Sequence, residues 1–277
     1  EVLGVKTNDE VLMPSLNFVA SANAVKYCKA IPHFIEVDEK TLGVDSIKLD
    51  KYLKKIVIFK KGKPFNKFTK KKISCLILLH LFGHAAKVDE IKKITNKYKI
   101  PLLEDAAEAL GSFFKKKHLG TFGDIGILSF NGNKIITTGG GGAILTRNKN
   151  LAKRIKFLTT TAKIPHQWKY EYSDVGYNYR LPGINAALGC SQLLKLKKYI
   201  ILKRKLFQIY NKNFSKNNNF KIFKEPKNSK SNYWLQTLML NKKSIVLRNK
   251  LIEFSNKKGF STRPVWKVLH KLKHFKN

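Results

Sequence analysis

One lysine among many sits in an uncharged setting. Lys134 follows Leu128-Ser129-Phe130-Asn131-Gly132-Asn133 and precedes Ile135-Ile136-Thr137-Thr138 and a run of glycines from Gly139 to Gly142. A strand end that delivers a hydroxyl, an amide and an amine into a turn offers a nucleophile. The glycines behind it let backbone approach a bound group, and their N–H groups can face an anion. The order is neither that of a P-loop nor that of a dinucleotide fingerprint. Upstream, Leu102-Leu103-Glu104-Asp105-Ala106-Ala107-Glu108 ends an apolar run in acids. Acids at the carboxyl end of a parallel strand lie where α/β folds bind ligands. An aspartate capping a helix reads the same way, and a single lysine is most often solvated. Taken together, an acid, a hydroxyl and a lone lysine on strand ends match the needs of pyridoxal phosphate. That cofactor takes a lysine for covalent attachment, an acid to keep its pyridine nitrogen protonated, and donors for its phosphate.

These groups need a frame to bring them together. Strand-like runs fall at 10–14, 32–37, 74–81, 101–104, 126–130 and 142–146. Helical patterns fall at 18–27, 89–98, 151–158 and 182–210. The run at 74–81 is nearly all apolar, as in a strand buried on both faces. The alternation predicts an α/β fold whose mainly parallel sheet is flanked by helices. The basic stretch 60–72 predicts an exposed hairpin or loop between two strands. Residues 1–5 read as the tail of a helix. Composition shifts at the Asn-rich stretch 211–219, beyond which 233–240 reads as strand and 245–258 as helix. The division expected is a large α/β domain over 1–190, then a linking helix and a partial small α+β C-terminal domain over 191–277.

The 277 residues are 43% hydrophobic and 11% aromatic, which supports a sizeable core and argues against wholesale disorder. The formal net charge of +37 raises nucleic-acid binding as a rival function. Only six of the 55 basic residues are arginine, the side chain favoured for bidentate phosphate and base contacts. The lysines are spread along the whole chain beside many Asn, Ile and Phe, so compositional drift accounts for the charge and no specific nucleic-acid partner is expected. Cys28, Cys75 and Cys190 fit neither a metal site nor a disulfide framework, which points to a reduced, cytoplasmic setting. No run approaches the ~20 apolar residues that span a membrane, so no membrane partner is expected.

Five stretches, in order, resemble the sugar-nucleotide aminotransferases of the DegT/DnrJ/StrS family, which are fold-type I pyridoxal-phosphate enzymes. They are Asp9-Glu10-Val11 through Ala24, His80-Leu81-Phe82-Gly83-His84, Glu104 through Gly111, Ser129 through Gly142, and Val175-Gly176-Tyr177-Asn178-Tyr179-Arg180-Leu181-Pro182 with Asn185 through Gly189. Thr159 through His166, the insertion at 60–72, and Thr262-Arg263-Pro264-Val265-Trp266 with Leu269-His270-Lys271 resemble the subgroup that makes legionaminic acid and related 4-amino sugars. That resemblance implies a UDP-linked 4-keto-6-deoxy-N-acetylhexosamine as substrate and glutamate as amino donor. The alternatives are a GDP-linked 4-keto-6-deoxyhexose and a remnant that no longer catalyses.

By the same resemblance, Lys134 is the cofactor-bearing lysine and proton carrier, and Asp105 is the partner of the pyridine nitrogen. Phe18 stacks on the ring, although without the resemblance core packing is the favoured reading. Ser129 and Asn131 contact the phosphate. Asn178 reaches the phosphate of a neighbouring subunit, which implies a homodimer with a shared active site. Glu108 lies near the ring, with a helix-start acid as the equal alternative. His166, Trp168, Tyr177 and Arg263 are substrate-side candidates. Family members extend further at both ends. Against that family pattern the chain is expected to be truncated at both ends, without the Gly-Thr phosphate turn upstream and without the rest of the small domain downstream.

Overall fold

The computed structural model describes residues 1–275. Its centre is a six-stranded sheet ordered Gly142–Leu145, Ile125–Ser129, Leu102–Asp105, Ile73–Leu79, Glu10–Pro14, Ile31–Ile35. All neighbours run parallel except the first pair, which is antiparallel. The Ile73–Leu79 strand is buried along its whole length, in keeping with its unbroken apolar sequence.

Strand alternation divides the core between two faces. Leu12, Leu76 and Leu78 pack with Leu49, Leu53 and Ile56 of helix α2 (Ser46–Ile56) and Ile91 of helix α3 (Val88–Lys97). Val11, Met13, Cys75 and Ile77 point the other way, onto Ala22 and Val25 of helix α1 (Val19–Tyr27) and onto Leu269 and Phe275. Each fully buried Leu or Ile contributes ~1.5–3 kcal/mol relative to exposure. The Asp45 side chain caps α2 by accepting from the Lys48 amide.

The basic insertion forms the antiparallel hairpin Val57–Lys60 with Lys63–Asn66. It is fastened to the sheet through Glu10, a buried carboxylate that accepts from His33, Asn66 and Thr69. Burial pushes the Glu10 carboxyl up, but these bonds outweigh it and hold the group below its ordinary range.

Helix α4 (Lys149–Thr159) follows the sheet, and the long helix α5 (Gly183–Asn213) runs through residue 190. Helix α6 is Ile245–Lys257. Three local features depart from expectation. Residues 1–5 hold one hydrogen-bonded turn rather than a helix end. Helix α2 lies where no helix was expected. The expected strand at 233–240 is confined to Leu238–Leu240. The reason is tertiary: Tyr233 has φ +48°, and the Asn232 side chain takes up the amide of Trp234 and the carbonyls of Glu108 and Leu110. No described helix is long and apolar enough to cross a membrane.

Candidate active site

The carboxyl ends of the Leu102–Asp105 and Ile125–Ser129 strands bring the expected residues together. Asp105 is buried, and its carboxylate accepts from the Ser21 hydroxyl (2.7 Å) and the Ala107 amide (3.2 Å). Ser21 lies on α1, which thereby orients the acid. Ser129 ends its strand and accepts from the Asn131 amide. A turn closed by the Lys134 amide on the Asn131 carbonyl then carries the lysine inward. Lys134 Nζ lies 3.6 Å from Glu108 Oε1.

Glu108 is almost fully buried, and its other oxygen accepts from the Phe82 amide at 2.8 Å. Phe82 has φ +55°, in the left-handed region that non-glycine residues seldom adopt, and this aims its N–H at the carboxylate. Burial pushes the Glu108 carboxyl up to about 7. The Lys134 ammonium and the Phe82 amide pull against that rise, and Asp105 adds to it.

Phe18 is 51% exposed at the start of α1, with its ring 5.4 Å from that of Trp266. It is therefore a half-exposed ring packed on Trp266 and not a core residue. Helix α5 packs on the glycine-rich loop. The Asn185 side chain donates to the Thr138 carbonyl, and a Cβ on Gly189 would stand 2.8 Å from the Thr138 methyl.

Asn178 lies elsewhere on the chain. It is exposed and lines a cavity of about 930 Å³ with Lys156, Lys163, His166 and Arg180. No hydrogen bond or ion pair among the described residues joins it to the Lys134 group. Trp168 and Arg263 are exposed, and the Tyr177 hydroxyl donates to Glu1.

Residues that the sequence did not single out complete the site. Ser21 holds Asp105, Trp234 covers Lys134 with its ring centroid 4.3 Å from Nζ, and Asn17 lies beside Ser21. The Asn17 side-chain amide nitrogen is buried and has no hydrogen-bond partner. A buried donor of this kind next to a buried acid suits a polar ligand. A buried acid, a lysine amine and an unpaired buried donor are groups that pyridoxal phosphate uses, so these residues fit that cofactor.

The adjacent acid Glu104 faces away from the site and pairs with His80 at 2.9 Å, both fully buried. The Ala86 amide donates to His80 Nδ1, which leaves Nε2–H to donate to Glu104. His84 is also buried, edge-on to Phe223 and Tyr233, with neither ring nitrogen partnered. Burial pushes it down to about 4 from 6.5, and Glu225 opposes this weakly. The unfolded chain therefore takes up this proton first. Stability from this group is complete above pH 6.5 and falls as the pH drops toward 4, by about 3 kcal/mol in all. Urea unfolding at pH 7 and pH 4.5 should show a smaller acid loss for His84→Leu than for the native protein. Equal losses would refute the assignment.

The DegT/DnrJ/EryC1/StrS aminotransferase family profile matches residues 1–277. The chain is 35% identical to a putative pyridoxal phosphate-dependent aminotransferase, EpsN, of Bacillus subtilis, over 97% of this chain and 66% of that protein. It is 34% identical to GDP-perosamine synthase of Escherichia coli O157:H7, over 97% and 68%. It is 31% identical to the UDP-4-amino-4,6-dideoxy-N-acetyl-beta-L-altrosamine transaminase of Campylobacter jejuni, over 99% and 69%. The chain thus spans about two thirds of the length of these relatives. The crystal structure of the aminotransferase TlmJ from Streptoalloteichus hindustanus superposes with a TM-score of 0.87 at 25% identity, over 99% of this chain and 70% of that one.

Proposed function

Because the chain belongs to the DegT/DnrJ/EryC1/StrS family of pyridoxal-phosphate aminotransferases, we propose that it moves an amino group from glutamate to a nucleotide-linked keto sugar. The acceptor is the 4-keto carbon of a UDP-linked 4-keto-6-deoxy-N-acetylhexosamine, and the product serves cytoplasmic synthesis of a bacterial surface glycan of the legionaminic type. The observation that carries this reading is the placement of Lys134 Nζ 3.6 Å from the buried Glu108, whose carboxyl also feels the buried Asp105.

The cofactor supplies an electrophilic carbon for the amino group and a ring that stores the electron pair released at the reacting carbon. Asp105, oriented by Ser21, places negative charge beside the ring nitrogen. Lys134 attaches the cofactor and then moves the proton at Nζ. Phe18 would cover one ring face, and Ser129 and Asn131 would hold the phosphate. Asn178 of a second copy completes the phosphate site. Exposed Leu188, Leu193 and Leu194 on α5 and exposed Trp168 and Tyr179 support burial against that second copy as a homodimer.

Release of 2-oxoglutarate, followed with pyridoxal phosphate, glutamate and either a UDP- or a GDP-linked 4-keto sugar, tests the reading. Turnover at least about tenfold faster with the UDP sugar is the expected result. Preference for the GDP sugar would favour the second reading, which the likeness to GDP-perosamine synthase supports. Release with neither would overturn both.

A further inference from the structure

A tryptophan from the segment beyond α5 sits on the lysine. The Lys134 Nζ is 4.3 Å from the Trp234 ring centroid and 3.6 Å from Glu108 Oε1, and its side chain is only 13% exposed. Among the described residues this is the only ammonium placed on a tryptophan face; the other such contacts are to Phe or Tyr. The indole is registered on the lysine's own turn, because its N–H donates to the Asn133 carbonyl at 2.7 Å. Its backbone is registered on Glu108. The Trp234 amide donates to Asn232 Oδ1, and the Asn232 amide group donates to the Glu108 and Leu110 carbonyls, each at 2.9 Å. The residue opposite is Gly83, where a Cβ would stand 1.9 Å from Asn232 Oδ1, so this close approach needs glycine. Phe82, whose amide holds Glu108, packs against the Trp234 ring at 6.4 Å. One strap, 232–234, therefore sets both walls around the amine.

We propose that Trp234 is a positioning residue whose indole face, with the Glu108 carboxylate, forms a berth for the Lys134 ammonium whenever that lysine is not joined to the cofactor. The inference rests on the aminotransferase reading, in which Lys134 leaves the cofactor and returns in each cycle. A four-carbon stem free in solvent samples many rotamers and loses them again at each return. Held in the berth, the amine keeps one position, and its charge is met by a π face and a carboxylate. Asp105 is the other carboxylate that bears on the pair.

The test is site-resolved labelling. Cofactor-free full-length chain is treated with an amine-specific acylating reagent at pH 8, and Lys134 modification is read by peptide mass spectrometry. Trp234→Leu should raise the labelling rate of Lys134 about tenfold, and Trp234→Phe, which keeps a ring, should recover most of the protection. Replacing tryptophan by its trifluorinated analogue keeps the ring's shape and weakens its negative face. Labelling should then rise about threefold with the melting temperature unchanged, a result a purely structural role would not give. This arm also serves if Trp234→Leu fails to fold. Labelling unaltered by fluorination would overturn the proposal. A separate arm, borohydride reduction with pyridoxal phosphate, tests the underlying reading. Native protein that takes no pyridoxyl group on Lys134 would defeat the aminotransferase assignment and leave the labelling contrast to stand by itself.

Discussion

Lys134→Ala should abolish the borohydride-reducible cofactor band and lower transamination by at least about a thousandfold, because in the proposed function one substitution removes both the attachment point and the proton carrier. In a chain so rich in lysine, bulk absorbance does not identify the site, so the reduced protein is digested and the pyridoxyl group located by peptide. On the proposed role of Lys134, the native chain is expected to carry it there. The variant should remain folded, since Lys134 lies on a turn after the Ile125–Ser129 strand and not in either core cluster. Removing the ammonium leaves Glu108 without the charge that pulls its carboxyl down, so the carboxyl rises further. A Lys134→Ala protein with an unchanged reducible band would sink the assignment.

Glu104→Gln destabilises the protein by about 3–5 kcal/mol and leaves it unable to hold the site. The Glu104 carboxylate accepts four bonds: from His80 and Gly120 on one oxygen, and from Phe122 and Gly123 on the other. Burial raises its carboxyl, but the His80 bond and charge and the amides outweigh burial and leave it below the ordinary range. A glutamine carries only one acceptor oxygen. Whichever way its amide is turned, an –NH2 group faces two donors, and two buried N–H groups lose their partner. Urea unfolding at neutral pH should show a lower midpoint with an unchanged slope. A midpoint within about 0.5 kcal/mol of native would show that the cluster is dispensable. Linkage sets the acid behaviour of the native protein. This carboxylate's contribution is present above the ordinary carboxyl value of 4.5 and is lost as the pH falls through its lowered native value.

Most strands and helices were legible because their signals are local. The apolar run behind Ile73–Leu79 and the polar–apolar periodicity of α3 survive in any tertiary setting. The turn ending in Lys134 was legible for the same reason, as an amine in a neighbourhood of small uncharged residues. Helix α2 carried the same kind of signal, with Leu49, Leu53 and Ile56 at i, i+4 and i+7 behind the Asp45 cap, although no helix was expected there. The stretch 233–240 misled because Tyr233, Trp234 and Leu235 have strand-like composition, whereas the Asn232 side chain fixes a different backbone there.

What this sequence determined by itself was an α/β frame, one lysine poised on a strand end, and a pair of adjacent acids on another. Which acid faces the lysine was decided by the sheet, because successive side chains of a strand point to opposite sides. Packing turned Asp105 toward Ser21 and the site, and Glu104 toward His80 and the interior. Trp234 and Asn232 meet Lys134 and Glu108 across a hundred or more residues of chain. No local pattern encodes such a meeting, because it exists only once the segment beyond α5 has folded back across the strand ends.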